Sequence, residues 1–143
     1  VGTWTPMAEQ KAVARYLPQT ENIKTYLAHF KNELEERLRR IHAGFIDLKK
    51  QGLPVDAVAP EAAIYLTIKM DLAGRKLKDG TLLATQADVT SYILQAAGLA
   101  VVPFYAFGAS NNSPWYRLSV GTCKKEEIDL MLNKLETALR EVQ

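Results

Sequence analysis

The sequence has little cysteine, little histidine and almost no net charge. Its single cysteine, Cys123, excludes an internal disulfide framework and fits a reducing compartment. The formal charge of +2 over 143 residues is too small to favour nucleic acid or an anionic membrane as a partner. No apolar run is long enough to span a bilayer, and no secretory signal is visible. We therefore expect a cytoplasmic protein that binds neither nucleic acid nor a membrane.

Motifs of complete active sites are also missing. The sequence contains no GxSxG elbow, no P-loop, no dinucleotide fingerprint and no cluster of metal ligands. Cys123 lies at the start of the last predicted helix, where a thiolate is favoured, but no histidine is near it in sequence. A buried structural thiol is therefore the better interpretation. Lys69 lies in a predicted strand between Ile68 and Met70, and this alternation points its side chain outward. We predict no catalytic residue and no metal site in this chain.

The composition is that of an ordinary globular domain, with 48% hydrophobic and 24% charged residues. Periodicity and turn signals predict seven elements. In chain order they are a helix at 7–17, a long helix from Thr20 to about 51, a strand at 62–70, a helix from near Thr85 to Gly98, a strand at 99–102, a strand around Arg117, and a final helix capped by Thr122. This order predicts an α+β fold, in which a small mixed β-sheet packs against helices.

We predict that residues 1–143 form a single domain with three parts. Residues 1–19 are a leading segment with a short helix, and 20–52 form a long linking helix. Residues 53–143 form a small α+β domain. The long helix exceeds the usual length of a globular helix, which is typical of a connection between two layers or domains.

Arg117 raises a question, because it lies in the middle of the predicted strand at 115–120. Strand alternation places two sets of side chains on opposite faces. The apolar set is Tyr116, Leu118 and Val120, and the other set is Trp115, Arg117 and Ser119. A guanidinium stays charged in proteins, so its burial without an anion is costly.

Two kinds of anion fit Arg117. Its planar guanidinium offers parallel N–H donors that match a carboxylate, and the loop directly upstream, residues 104–113, is of the kind that lines ligand sites. A bound ligand is one interpretation. The other is an internal ion pair, for which Asp71 and Glu61 are candidates at the ends of the other long strand. The residues alone leave both open.

A family resemblance bears on this choice. The motifs that carry it are Gln95-Ala-Ala-Gly98, Leu-Ala-Val-Val-Pro103, Phe-Tyr-Ala-Phe107-Gly108 and Trp-Tyr-Arg117-Leu-Ser119-Val-Gly121, followed by a helix with an apolar stripe. This succession resembles the C-terminal part of class I/II aminotransferases, pyridoxal-phosphate enzymes with the aspartate aminotransferase fold. The opening GTWTPMAEQKAVARYL resembles the stretch after their cofactor lysine, and the long helix resembles the link from their large to their small domain.

The resemblance implies roles for several residues. The arginine of the R-L-S strand binds the substrate α-carboxylate in this family, a role that falls on Arg117. Phe107 would lie beside the same site, while Thr3 and Trp4 would approach the active site of a partner subunit. The parent would be a homodimeric aminotransferase that moves an amino group between an amino acid and a 2-oxo acid. This chain would contribute substrate binding and no catalytic residue.

The sequence also departs from the family pattern. Pro103-Phe104 stands where the family often has Pro-Gly, which leaves the substrate preference open. The motif of the cofactor lysine is absent, Lys69 has the wrong neighbours for it, and the residues that bind pyridoxal phosphate would precede Val1. We therefore expect a C-terminal fragment of a longer enzyme, which fits a chain that begins with Val1 rather than Met. Without its N-terminal large domain it should bind no cofactor and be inactive. The alternative is a stand-alone amino-acid-binding or protein-interaction module without catalysis.

Overall fold

A computed structural model describes residues 4–143. In chain order, the helices and strands of these residues are α1 (Met7–Tyr16), α2 (Thr20–Lys50), β1 (Val55–Ala57), β2 (Tyr65–Met70), α3 (Gln86–Ala97), β3 (Val102–Pro103), β4 (Trp115–Ser119) and α4 (Ile128–Arg140). Short 3₁₀ helices at Phe104–Phe107 and Lys125–Glu127 precede β4 and α4. None of the helices in this part of the chain is long and apolar enough to cross a membrane.

The chain divides into two compact units within α2. The first ends at Glu33 and the second is Leu34–Gln143. In the first unit α1 begins after Pro6, whose fixed φ suits a helix start, and α1 buries none of its residues. Large apolar side chains of this unit are exposed: Trp4, Met7, Val13, Tyr16, Leu17, Tyr26, Leu27 and Phe30. The three-part division predicted from the sequence stays a prediction.

The second unit is built on a four-stranded sheet with the strand order β1-β2-β4-β3. The predicted α+β class is confirmed. The strand directions differ from the expected mixed sheet, because each of the three pairings is antiparallel. The loops at 58–64 and 104–114 reverse the chain within the pairs β1–β2 and β3–β4. The longer connection through α3 joins β2 to β3, which both run antiparallel to β4 between them.

One face of this sheet packs against the helices. The buried residues of α2 recur three or four positions apart and form a single stripe: Leu34, Leu38, Ile41, Phe45 and Leu48. They belong to one core with the inward side chains of the strands and of α3 and α4. Side chains of the opposite face are only half buried or exposed, as the alternating burial of β2 and β4 shows. The second face is therefore where a charged side chain can remain.

Local signals placed some element ends correctly. The helix predicted to begin near Thr85 does so, because the Thr85 side chain accepts from the Asp88 N–H and the Asp88 carboxylate accepts from the Thr85 N–H. It ends at Gly98, which has a left-handed φ of 68°.

Other boundaries were predicted wrongly. Thr122 does not cap the last helix, since it lies in a turn and α4 begins only at Ile128, after a 3₁₀ helix. The strand predicted at 62–70 begins at Tyr65, two residues after Ala63 with its positive φ of 66°. The strand predicted at 99–102 is Val102–Pro103. Strand β1 was missed.

Candidate functional site

Arg117 lies on an interior strand of the sheet. Strand β4 has neighbours on both sides, with Thr67 of β2 and Val102 of β3 directly opposite Arg117. Tyr116 and Leu118 are buried, whereas Trp115 and Arg117 are half buried and Ser119 is exposed. The predicted alternation is therefore confirmed, and the Arg117 side chain lies on the face away from the helices.

A buried polar contact anchors β4 behind Arg117. The Tyr116 hydroxyl donates a hydrogen bond to Oε1 of Gln86 on α3, and Gln86 Nε2 donates to the Asn112 carbonyl oxygen at 3.5 Å. Burial is the main cause of a pKa of Tyr116 above its ordinary value, so the hydroxyl keeps its proton and remains a donor. Strand β4 is thus held by sheet pairing at its edges and by this contact beneath it.

Two aromatic rings contact the guanidinium of Arg117. The Arg117 Cζ atom lies 4.4 Å from the centroid of the Tyr65 ring and 4.4 Å from the centroid of the Phe107 ring. Tyr65 belongs to β2, on one side of β4, while Phe107 follows β3, on the other side. At these distances a ring face attracts a cation by about 0.5–2 kcal/mol, depending on exposure.

Phe107 owes its position to a short helical turn. It ends the 3₁₀ helix Phe104–Phe107, and Gly108 closes that turn with a φ of 90°, a conformation that favours glycine. The Phe104 ring meets the Phe107 ring edge to face, with centroids 6.4 Å apart. The sequence motif Phe107-Gly108 thus brings an aromatic ring to Arg117.

No internal anion pairs with Arg117 in residues 4–143. The Asp71 carboxylate lies 3.9 Å from Nζ of Lys69 instead, and Glu61 is exposed without contacting Arg117. Within the same residues the guanidinium makes no hydrogen bond, because its contacts are to ring faces. Its N–H donors are therefore available to an anion from outside this chain.

Tyr65 is the residue of this site that sequence reasoning missed. Its contact with Arg117 depends on the register of β2 against β4, which pairs Tyr65 with Ser119 and Thr67 with Arg117. A residue diagonal to the paired position is within reach of long and aromatic side chains. The pairing of these two strands was not predicted, so nothing in the sequence singled out Tyr65.

The chain was compared with protein-family models, curated proteins and solved structures. No protein-family model matches the chain. Two curated proteins named "Probable aspartate/prephenate aminotransferase" are similar to it: that of Rickettsia conorii is 41% identical over 68 residues, 47% of this chain and 16% of the relative. That of Rickettsia felis is 38% identical over 80 residues, 55% of this chain and 19% of the relative.

Solved structures cover more of the chain. The aspartate aminotransferase of Rhizobium meliloti superposes with a TM-score of 0.69 at 25% identity, covering 82% of this chain and 28% of the other. A pyridoxal-phosphate-bound aminotransferase from Clostridium difficile matches in fold, with a TM-score of 0.63 at 16% identity over 83% of this chain and 27% of the other. The chain is similar in sequence and fold to pyridoxal-phosphate-dependent aminotransferases. The resemblance predicted from the sequence is thereby confirmed, and the matches span less than a third of each of these aminotransferases.

The described residues do not fit the pyridoxal phosphate of aminotransferases. A lysine that forms a Schiff base is usually desolvated, which lowers its pKa. Every lysine of this chain is exposed or half buried. Lys69, the lysine on the same sheet face as Arg117, is half buried, and its Nζ atom lies 3.9 Å from the Asp71 carboxylate. Residues 4–143 also contain no group of three or more side chains that could hold a metal ion.

Two further residues, Trp4 and Thr3, were predicted to make contacts. Trp4 is in the first unit and its side chain is 88% exposed, so it touches little within that unit. Thr3 lies outside the described residues. Their approach to an aminotransferase partner subunit stays a prediction, as do the roles of Arg117 and Phe107.

Cys123 was predicted to be a buried structural thiol, and the structure shows it half buried. Burial is the main cause that raises its pKa above the ordinary value of 9.0, and Glu127 also raises it, while Arg37 and Arg40 act in the opposite direction. A raised pKa means less thiolate, which is the reactive form. This favours the structural interpretation over the nucleophilic one.

We predict that Cys123 affects the pH dependence of stability. The folded state holds the thiol proton more tightly than the unfolded state, so this contribution is complete below the unfolded pKa and is lost as the pH rises through the folded pKa. Urea unfolding at a series of pH values should show the free energy of unfolding falling more steeply above pH 9.0 in the native protein than in Cys123→Ser. If the free energy of unfolding fell equally with pH in the native protein and in Cys123→Ser, the raised pKa of Cys123 would be contradicted. Alkylation of the folded thiol at neutral pH should also be slower than that of a free thiol.

Proposed function

We propose that this chain is the C-terminal, small-domain part of a pyridoxal-phosphate-dependent aminotransferase, in which Arg117 binds the α-carboxylate of the substrate. The longer enzyme transfers an amino group between an amino acid and a 2-oxo acid. One observation carries the proposal. The Arg117 guanidinium lies between two aromatic rings on the sheet face away from the helices, and in residues 4–143 no internal anion pairs with it, so its N–H groups are available to a ligand.

The chemistry of the two substrates suits this arginine. An amino acid and a 2-oxo acid share a carboxylate beside the carbon that reacts, so one fixed guanidinium serves both directions of the reaction. A bidentate arginine–carboxylate pair fixes orientation as well as affinity. Orientation of the reacting carbon is a large source of rate acceleration, because it removes the entropy of alignment from the barrier. Arg117 thus positions the substrate and makes no covalent bond.

The rest of the active site belongs to other parts of the proposed enzyme. The cofactor supplies the electron sink for the reaction, and the protein must hold and orient it. Since the described lysines do not fit that task, the cofactor lysine and the phosphate-binding groups are assigned to a large domain upstream. We further propose that the full-length enzyme is a cytoplasmic homodimer and that this chain alone is inactive.

Reductive labelling tests the assignment of the cofactor site. The 143-residue chain is titrated with pyridoxal phosphate, reduced with borohydride and mapped by peptide mass spectrometry. Scattered, substoichiometric labelling of surface lysines is expected. The variant Lys69→Arg should lose the label at position 69 and show the same labelling as the native chain at every other lysine. In the full-length protein one lysine upstream of this chain should be labelled stoichiometrically. Stoichiometric labelling of a single lysine of the chain itself, reversed by an amino acid, would mean that this chain holds a complete cofactor site.

A further inference from the structure

The Arg117 side chain must be held in place by something other than an ion pair. Long side chains lose about 0.5–1.5 kcal/mol of rotamer freedom when a ligand immobilises them. Arginines are commonly fixed by a carboxylate partner, which leaves fewer donors for a ligand. Arg117 instead has two rings within 4.4 Å of its Cζ atom. Aromatic contacts attract the cation without consuming its N–H donors.

Of the two rings, that of Tyr65 has the more rigid support. Tyr65 begins β2, which pairs with β1 and β4, and its backbone is in register with Ser119. Phe107 sits on a 3₁₀ turn and is 55% exposed, against 40% for Tyr65. The sheet therefore sets the distance between Tyr65 and Arg117, whereas Phe107 depends on the conformation of a loop.

We propose that Tyr65 is a positioning residue that pre-organises Arg117 for a carboxylate ligand. This inference rests on the proposed function, which it deepens by naming what keeps the binding arginine both fixed and unpaired. The ring, rather than the hydroxyl, performs this role, because the contact is to the ring face and the Tyr65 hydroxyl makes no hydrogen bond in residues 4–143. Tyr65 thereby raises the affinity for substrates with a carboxylate next to the reacting carbon.

Kinetics of the full-length protein test this role. Tyr65→Val keeps a strand-forming residue but removes the ring. It should lower kcat/KM for an amino acid about 5- to 30-fold, which is the effect expected from loss of a partly desolvated cation–π contact. Most of this loss should appear as a higher KM. Tyr65→Phe keeps the ring and should stay within about twofold of the native enzyme, since the lost hydroxyl has no partner. Val102→Ala is the matched control, because Val102 lies directly opposite Arg117 on the other side and offers no ring. It should leave kcat/KM unchanged.

A second measurement separates the contact from the proposed enzymatic role. In the 143-residue chain, the Arg117 Nε–Hε signal, assigned by its loss in Arg117→Lys, should be displaced by the ring currents. Tyr65→Val should move it toward the value of a free arginine, and Tyr65→Phe should not. If Tyr65→Val fails to fold, Tyr65→Thr replaces it as another strand former without a ring.

The outcomes distinguish the two proposals. Equal losses in Tyr65→Phe and Tyr65→Val, or a kcat/KM of Tyr65→Val close to that of the native enzyme, would overturn the positioning role. An Arg117 signal that is the same in Tyr65→Val and the native chain would overturn it as well. If the signal responds as expected but loss of Arg117 itself leaves kcat/KM unchanged, the proposed function fails while the contact stands.

Discussion

Replacement of Arg117 by leucine in the full-length protein is expected to lower kcat/KM for an amino acid about 100-fold or more. Hydrogen bonds to charged groups contribute about 1.5–3 kcal/mol, and a bidentate pair lies at the upper end of this range. The loss appears in kcat/KM because the carboxylate is held both on binding and in the transition state. The measurement is kcat/KM from initial rates, obtained by varying the concentration of the amino acid and then that of the 2-oxo acid.

Two variants serve as controls for this prediction. Arg117→Lys keeps the positive charge but loses the planar fork, so a smaller loss is expected, between the native enzyme and Arg117→Leu. Lys69→Met removes the other cation of the same sheet face, which has Asp71 as its neighbour at 3.9 Å, and should change kcat/KM by less than about twofold if only Arg117 binds the carboxylate. Comparable losses in Lys69→Met and Arg117→Leu would point to general positive charge rather than to a carboxylate site.

Phe45→Ala should destabilise the protein by about 3–5 kcal/mol, the usual cost when a buried aromatic side chain is truncated. Phe45 lies on α2, is 0% exposed, and belongs to the core shared by the sheet and the helices. Because native domains are stable by only about 5–15 kcal/mol, this loss is a large fraction of the free energy of unfolding. Urea unfolding followed by circular dichroism gives the free energy.

The matched control for this prediction is Leu130→Ala on α4. Leu130 is 56% exposed, so its truncation should change the free energy of unfolding by no more than about 0.5 kcal/mol. A loss below about 1 kcal/mol for Phe45→Ala would mean that Phe45 is packed less tightly than its complete burial implies. A large loss for Leu130→Ala would indicate that α4 buries this position in an assembly.

Features that depend on neighbouring residues could be predicted from the sequence. Thr85 with Asp88, and Gly98, set the ends of α3 through contacts within one helical turn. The alternation around Arg117 separated an apolar from a polar face without knowledge of the neighbouring strands. The order of the predicted helices and strands gave the α+β class.

Features that depend on pairing between distant segments could not be predicted. Strand β1 has only three residues with Asp56 at its centre, and it becomes a strand because β2 pairs with it. The last helix begins later than expected because a turn and a 3₁₀ helix occupy the residues after Gly121. The contact of Tyr65 with Arg117 required the register of β2 against β4.

The central claim is that Arg117 recognises the carboxylate next to the reacting carbon, and a pair of substrates tests it most directly. Transamination by the full-length protein and by Arg117→Leu is measured with an amino acid and with the amine that lacks only its α-carboxylate. The native enzyme should prefer the amino acid, and in Arg117→Leu this preference should fall about 100-fold while the slow reaction of the amine stays unchanged. An equal loss for both substrates would contradict the account, because Arg117 would then act on something other than the carboxylate.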